Sequence, residues 1–585
     1  MSNQVLPLLG RIADTVSRAI AEVRPELAGS DPVVRRSDHA DFQSNAALAL
    51  AKSARTKPPE LAEALTTALD VDGLIARVER SGPGFLNITL PDRVIWNQLS
   101  ARLTDPRLGV SARDEGQRVV IDYSAPNVAK EMHVGHLRTT IIGDSLARVL
   151  GFLGADVIRR NHLGDWGTQF GMLIQYLDEH PEVAWHHDEL DPGTSAVSAL
   201  DELYRTARAA FEADPEFADR SRQRVVALQS GDPSTIARWK DIVAESEKSF
   251  HDIYDRLGVL LTSDDSAGES TYNDLLDDVV TELTDRGLAV DSDGALVVLS
   301  EEVTGPDDTP VPLMVRKRDG GYGYDTTDLA TIRHRIRDLA ATRLLYVTDA
   351  RQSLHFQMIF EAARRAGWLT DDVEAAHVPY GTVLGTDGRP FKTRSGGTVR
   401  LMDLLDDAVA RAHTVVADKN SELPAAELDR IAEQAGIGAV KYADLSSSRV
   451  KDYVFDIDRM VSFTGNTGVY LQYAHARIRS ILRKAGDPDV SIDPGTELQP
   501  AERALALELD AYGTALTEVS DNLEPHKLCG YLYDLARDFT SFYEACPVIN
   551  AEEPLRDNRL ALCRLTARTL RHGLDLLGIS APESM

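Results

Sequence analysis

Two histidines three residues apart, His133 and His136, flank Gly135 in the segment Ala125-Pro-Asn-Val-Ala-Lys-Glu-Met-His-Val-Gly-His136. An imidazole N–H can donate to a phosphate oxygen, and this spacing puts both rings on one face of a first helical turn. A helix start adds free backbone N–H groups and a partial positive charge, so a phosphate can bind there. Gly135 has no side chain and leaves room for a nucleotide base against the backbone. The competing reading is two ordinary surface histidines. The position directly after an apolar strand favours the phosphate site.

Three further sets could do related chemistry. Phe391-Lys-Thr-Arg-Ser395 is basic and lies in the glycine-rich stretch Gly385–Gly397, which suits a mobile lid. On its own it reads as a solvated basic turn. Tyr324 and Asp328, four apart, open a helix marked by Leu329, Ile332, Ile336 and Leu339. A carboxylate with an aromatic face suits a planar guanidinium, but a first-turn acid favoured by the helix dipole fits the same spacing. In Gly468–Gly486, Arg477, Arg479, Arg483 and Lys484 line one side of a helix near Tyr470 and Tyr473. That face suits phosphates and unstacked bases, or simply water.

The elements that must hold these residues follow from hydrophobic patterning. Val119-Val-Ile121, Val157-Ile158, Leu344-Leu-Tyr-Val347 and Val373–Val378 are short, β-branched or apolar runs separated by helical stretches. Such alternation indicates a parallel sheet covered on both faces, a doubly wound α/β core. The His133–His136 segment then falls at a strand's carboxyl end, where such sheets bind ligands. Residues 181 to about 258 are helical and charged and read as an insertion. A first α+β unit spans residues 1–112, with a helix through Leu8, Ile12, Val16 and Ile20 and a turn into a strand at Ser81–Ile88. The core spans 113–403, and 404–585 reads as all-helical.

At 585 residues the chain is too long for one core, so three or four domains are expected. No run approaches the roughly 20 apolar residues of a membrane span, and Met1–Gly10 lacks the features of a signal peptide. Cys529, Cys546 and Cys563, 17 residues apart, form neither a disulfide framework nor a zinc site, and the chain reads as cytoplasmic with no resident metal. A net charge of −29 argues against a nucleic-acid partner on average, although a local basic groove can coexist with an acidic exterior.

The His-Val-Gly-His136 turn, with Asn127-Val-Ala-Lys-Glu-Met before it and Leu137-Arg138 after it, resembles the first signature of class I aminoacyl-tRNA synthetases, the arginine-specific family in particular. The resemblance covers nearly the whole chain. It implies a Rossmann-like catalytic core, an amino-terminal domain on the tRNA elbow and a helical anticodon-binding end. It implies that His133 and His136 stabilise the α-phosphate while the arginine carboxylate attacks ATP. Phe391-Lys-Thr-Arg-Ser395 is similar to the second signature, whose two lysines neutralise pyrophosphate. Here Arg394 replaces the second lysine, and Lys130 stands where other members supply the missing charge. The resemblance places ATP on Ala125, Pro126, His133, Gly135, His136, Phe391, Lys392, Thr393 and Ser395. It places arginine on Asn127, His136, Glu269, Tyr324, Asp328 and Gln352, and tRNA on Arg477, Arg479, Arg483 and Lys484. Asn161-His-Leu-Gly-Asp-Trp-Gly-Thr-Gln-Phe-Gly171 is another extended match, expected to shape the pocket.

The implied reaction joins L-arginine to its tRNA through arginyl-adenylate, with ATP and Mg²⁺, by a monomer. A site that pairs a buried donor fork rejects lysine or citrulline by about 10⁴ without editing. A glutamate enzyme would want cations where Glu269 and Asp328 stand, and a cysteine enzyme would want zinc. An inactive tRNA-binding paralogue would not need His133, His136, Lys130 and Lys392 together.

Overall fold

The computed structural model describes residues 6–69, 73–186, 196–305, 308–391, 399–420 and 423–585. The chain divides into two compact units, one from residues 1–113, 463–575 and 580–585, the other from 114–462 and 576–579.

The second unit is built on the four expected runs. They form β1 (Arg118–Asp122), β2 (Asp156–Arg160), β3 (Arg343–Tyr346) and β4 (Glu374–His377), in the order β4-β3-β1-β2 with every pair parallel. Strand order reverses between β1 and β3, so the ligand crevice of this doubly wound sheet opens at their carboxyl ends. Helix α1 (Val134–Phe152) follows β1. It packs close to the end of that strand because Gly143 has no side chain: a Cβ there would stand 2.3 Å from Cβ of Tyr123. Among the described residues the insertion contributes three helices, the last being α2 (Pro233–Leu257), capped by Asp232 and stopped by Gly258 at φ 62°. Helices α3 (Tyr324–Arg337) and α4 (Ser353–Arg365) flank β3 in sequence. A buried ion pair, Arg335 to Asp122 at 2.5 Å, fastens α3 to β1, with the guanidinium 5.0 Å above the Tyr346 ring.

Helices Leu401–Lys419 and Ala425–Leu445 also belong to this second unit. Asp444 is buried against Arg138 of α1 at 3.1 Å, and Lys441 Nζ donates to the carbonyl of Leu257 at 2.6 Å. Amphipathic helices state which face is buried but not which core they join.

The first unit carries an antiparallel sheet in the order Val34–Arg36, Phe42–Ser44, Phe85–Thr89, Arg77–Ser81. It also contains the helices Gly468–Lys484, Pro500–Asp510, Tyr512–Asn522 and His526–Ala545. Residues remote in sequence share its core: Asp510 receives the N–H of Leu8 at 2.6 Å and the Arg102 guanidinium at 2.8 Å, all buried. Among the described residues no helix is long and apolar enough to cross a membrane. The three cysteines are buried and form no disulfide.

Candidate active site

The loop after β1 is strained and held. Ser124, Ala125 and Ala129 take left-handed φ values of 74°, 47° and 61°, a conformation that costs non-glycine residues roughly 1 kcal/mol or more each. Buried polar groups fix it there. Ser124 N donates to Thr139 Oγ1 at 3.0 Å, Ala125 N to Asn161 Oδ1 at 3.0 Å, and Ala129 N to Ser246 Oγ at 3.1 Å. The Tyr254 hydroxyl bridges Ser124 Oγ at 2.7 Å and Asn161 Nδ2 at 3.1 Å. Ser246 and Tyr254 both come from α2, so the insertion supports the loop after β1. Pro126 O accepts from Gly164 N at 3.1 Å, and a Cβ on Gly164 would stand 2.4 Å from Oδ1 of the exposed Asn127. The Asn161–Gly171 stretch thus supplies the second wall of the loop.

His133 is the N-cap of α1. Its Nδ1 accepts from Gly135 N at 3.0 Å, while its own backbone N–H donates to Nδ1 of His136 at 3.0 Å. Both Nδ1 atoms are therefore acceptors, and in each neutral ring the proton must sit on Nε2. Burial lowers the His133 pKa, and burial with the neighbouring His133 lowers that of His136 to about 3. The helix start thus offers two neutral N–H donors with ring centroids 4.0 Å apart. Gly135 also makes way for the His133 ring, which a Cβ there would meet at 2.8 Å. The Lys130 ammonium lies 5.1 Å over the ring of Tyr204, on an insertion helix.

Lys392, Thr393, Arg394 and Ser395 lie outside the described residues. Both flanks of that stretch are placed. Phe391 N donates to Val383 O at 3.0 Å, and its ring lies 5.0 Å from that of Phe455. On the other side Val134 N donates to Val399 O at 3.2 Å and Leu401 N to Met132 O at 2.9 Å, so residues 399–401 pair with the histidine turn.

Acidic groups gather nearby in the same unit. Tyr324 opens α3, two-thirds exposed, its ring 5.2 Å from that of His355. His355 Nε2 meets Asp328 Oδ2 at 2.6 Å and its Nδ1 meets Asp325 Oδ1 at 3.3 Å. Burial disfavours a charged ring, but the hydrogen bonds and charges of the two aspartates prevail and lift its pKa to about 9. Glu269 is raised to about 7, by burial and then by the charges of Asp165 and Asp328. Asp165 in turn accepts from Ser270 N at 2.9 Å and Ser270 Oγ at 2.6 Å, holding the turn that carries Glu269. Gln352, exposed, occupies the N-cap position of α4, three residues before His355, and its side chain makes no capping bond. Sequence reasoning missed His355, Asp165, Asn161 and Tyr254 as individual residues. Asn161 and Asp165 lie inside the Asn161–Gly171 match and His355 three residues after Gln352, whereas Tyr254 has no local signal.

On helix Gly468–Lys484, Arg477 and Lys484 are exposed, with Arg477 4.9 Å over the Tyr543 ring. Arg479 instead pairs with Glu583 at 2.8 Å, and Arg483 donates to the Glu583 carbonyl at 2.9 Å.

Comparison with known proteins matches this geometry to a family. Residues 98–457 match the catalytic domain of class I tRNA synthetases (R), 471–585 the DALR anticodon binding domain, and 10–90 the arginyl tRNA synthetase N terminal domain. An arginine–tRNA ligase of Frankia casuarinae is 70% identical over 99% of both chains, and one of Thermobifida fusca 55% identical over 96% of both. Arginyl-tRNA synthetases from Plasmodium falciparum and Thermus thermophilus superpose with TM-scores of 0.84 and 0.82 at 28% and 26% identity. Each covers 99% of this chain, with 99% and 100% of the respective partner covered. The chain belongs to the arginyl-tRNA synthetase family of class I.

Proposed function

We propose that the chain is a cytoplasmic arginine–tRNA ligase that works as a monomer on L-arginine, ATP and the tRNA for arginine. The arginine carboxylate attacks the α-phosphorus of ATP, the Pα–O–Pβ bond breaks, and pyrophosphate leaves. The tRNA's terminal ribose hydroxyl then attacks the adenylate carbonyl, releasing AMP. The observation that carries this reading is the pair of neutral Nε2–H donors at the start of α1, in one unit with the Glu269, Asp325 and Asp328 acids. Fixed neutral donors stabilise charge that develops on the α-phosphate with little reorganisation.

In this reading His133 and His136 bind the α-phosphate, and Lys130, Lys392 and Arg394 neutralise the phosphates that leave. Ala125, Pro126, Gly135, Phe391, Thr393 and Ser395 line the nucleotide site. Glu269, Tyr324 and Asp328 receive the guanidinium, while Asn127, Gln352 and His136 meet the polar end of arginine. Mg²⁺ enters as the ATP complex. There it would offset the charge of the phosphates. Residues 1–112 contact the tRNA elbow, 113–403 carry catalysis with 181–258 inserted, and the helical end within 404–585 reads the anticodon. The test is aminoacylation of total tRNA with each radiolabelled amino acid. Charging with arginine alone supports the assignment, and charging with another amino acid overturns the pocket.

A further inference from the structure

The candidate guanidinium acceptor Asp328 is already engaged. Its Oδ2 lies 2.6 Å from Nε2 of His355, whose Nδ1 faces Asp325 Oδ1 at 3.3 Å. Asp325 is itself tied down, because its Oδ2 accepts from Met314 N at 3.2 Å. The ring thus stands between Asp328, its hydrogen-bond partner, and Asp325, its ion-pair partner, a carboxylate anchored on the neighbouring strand, Pro310–Arg316.

We infer that His355 is a positioning residue for arginine: as a two-fold donor it clamps Asp328 to Asp325 and leaves Asp328 Oδ1, with Glu269, to receive the guanidinium. The inference rests on the reading that Asp328 binds arginine. In this arrangement the guanidinium's donors are divided between two carboxylates on different elements, Asp328 on α3 and Glu269 in the Gly268–Ser270 turn. A lysine ammonium, a compact point charge, cannot span such a pair with fixed planar geometry.

The groups that surround the ring support a doubly donating, charged state. From α3 come Asp325, Asp328 and the Tyr324 ring; Glu269 adds its field on Asp328. From β4 comes His377, held neutral at about 4 chiefly by burial, with Phe356 stacked on it at 4.9 Å. His377 hydrogen-bonds Thr348 and leaves both aspartates to His355. With two carboxylates against one imidazolium, the cluster keeps one negative charge for the substrate.

The test uses the full chain with tRNA, comparing His355→Gln, His355→Ala and Asp328→Asn in steady-state aminoacylation. Glutamine keeps one donor and loses the second together with the charge. Loss of one charge-assisted hydrogen bond predicts a rise in arginine KM of about tenfold or more, with kcat and the KM for ATP changed less than threefold. His355→Ala should exceed His355→Gln in this effect. The ratio of arginine KM between His355→Gln and the unsubstituted chain should fall toward one above about pH 9, where His355 itself becomes a single donor. Titration of arginine's own amino group cancels in that ratio. An unchanged arginine KM in His355→Gln, or a ratio flat through pH 9, overturns the inference provided Asp328→Asn raises arginine KM. If Asp328→Asn also leaves arginine KM unchanged, the pocket reading itself fails and the clamp with it.

Discussion

The backbone N–H of His133 donates to Nδ1 of His136 at 3.0 Å, while Nδ1 of His133 caps the same helix turn through Gly135 N. Capping and chemistry are thus separate jobs of separate nitrogens. His133→Asn tests this separation, because an Asn oxygen caps a helix about as well as any side chain. The variant should lose less than about 1 kcal/mol of stability. Without the outward Nε2–H, ATP–pyrophosphate exchange should fall by about 10²-fold or more. Thermal unfolding and exchange measured on one preparation decide the matter. A parallel loss of both would mean that His133 serves only the helix.

With Glu269 in its proposed place beside the guanidinium, arginine binding should depend on pH. Its carboxyl is raised to about 7 by burial and by Asp165 and Asp328, so below that pH the unliganded site holds a proton there. A raised carboxyl stabilises the unliganded fold at low pH, and this contribution is lost as pH rises through about 7. Guanidinium needs the charged form, so binding must expel the proton. Arginine Kd should fall by up to about tenfold per pH unit on approaching 7 from below, then level off. Calorimetry in buffers of different ionisation enthalpy should show up to one proton released at pH 6 and almost none at pH 8.5. Glu269→Gln should bind more weakly and lose the slope. A slope that survives that substitution would point to another group.

The Tyr254 hydroxyl is a latch on the strained turn. It joins Ser124 Oγ and Asn161 Nδ2, and Asn161 in turn holds the amide of Ala125. Tyr254→Phe leaves buried polar atoms short of a partner and should cost about 1–3 kcal/mol in urea unfolding. Because Ser124 and Ala125 sit in left-handed conformations, the loosened loop should relax. The KM for ATP should then rise more than the KM for arginine. Equal changes in both would assign Tyr254 to general stability alone.

Much of this site is legible in the sequence, for identifiable reasons. Val119-Val-Ile121 and Leu344-Leu-Tyr346 are short apolar runs, and only a strand buried on both faces uses them, so the sheet follows directly. His133, Gly135 and His136 sit at a strand–helix junction whose anion-binding geometry is backbone physics. The tautomer is not legible, because it depends on which amides point at which Nδ1. Nor is the purpose of Gly135, which makes way for a ring two residues earlier in its own turn. Ser246 and Tyr254 lie more than a hundred residues from the loop they hold, on a helix whose charged composition suggested only an insertion. Lys130 matches the motif by position, yet its contact with Tyr204 is a tertiary fact no spacing encodes.

The basic face of helix Gly468–Lys484 divides into paired and available charges. Arg479 and Arg483 meet Glu583, whereas Arg477 and Lys484 stay exposed, Arg477 over the Tyr543 ring. On a chain of net charge −29, attraction for tRNA must come from such local cations. Each phosphate contact adds roughly 0.7–0.9 to the slope of log affinity against log salt, depending on strandedness. Lys484→Ala and Arg477→Ala should each weaken tRNA binding and lower that slope by about one. Arg479→Ala should change the slope less, because its charge is already met by Glu583, and should cost at most about 1 kcal/mol of stability. Filter binding of tRNA across a series of KCl concentrations reads all three. If Lys484→Ala and Arg477→Ala leave both affinity and slope unchanged, this helix face does not lie on RNA and the anticodon end must bind through other residues.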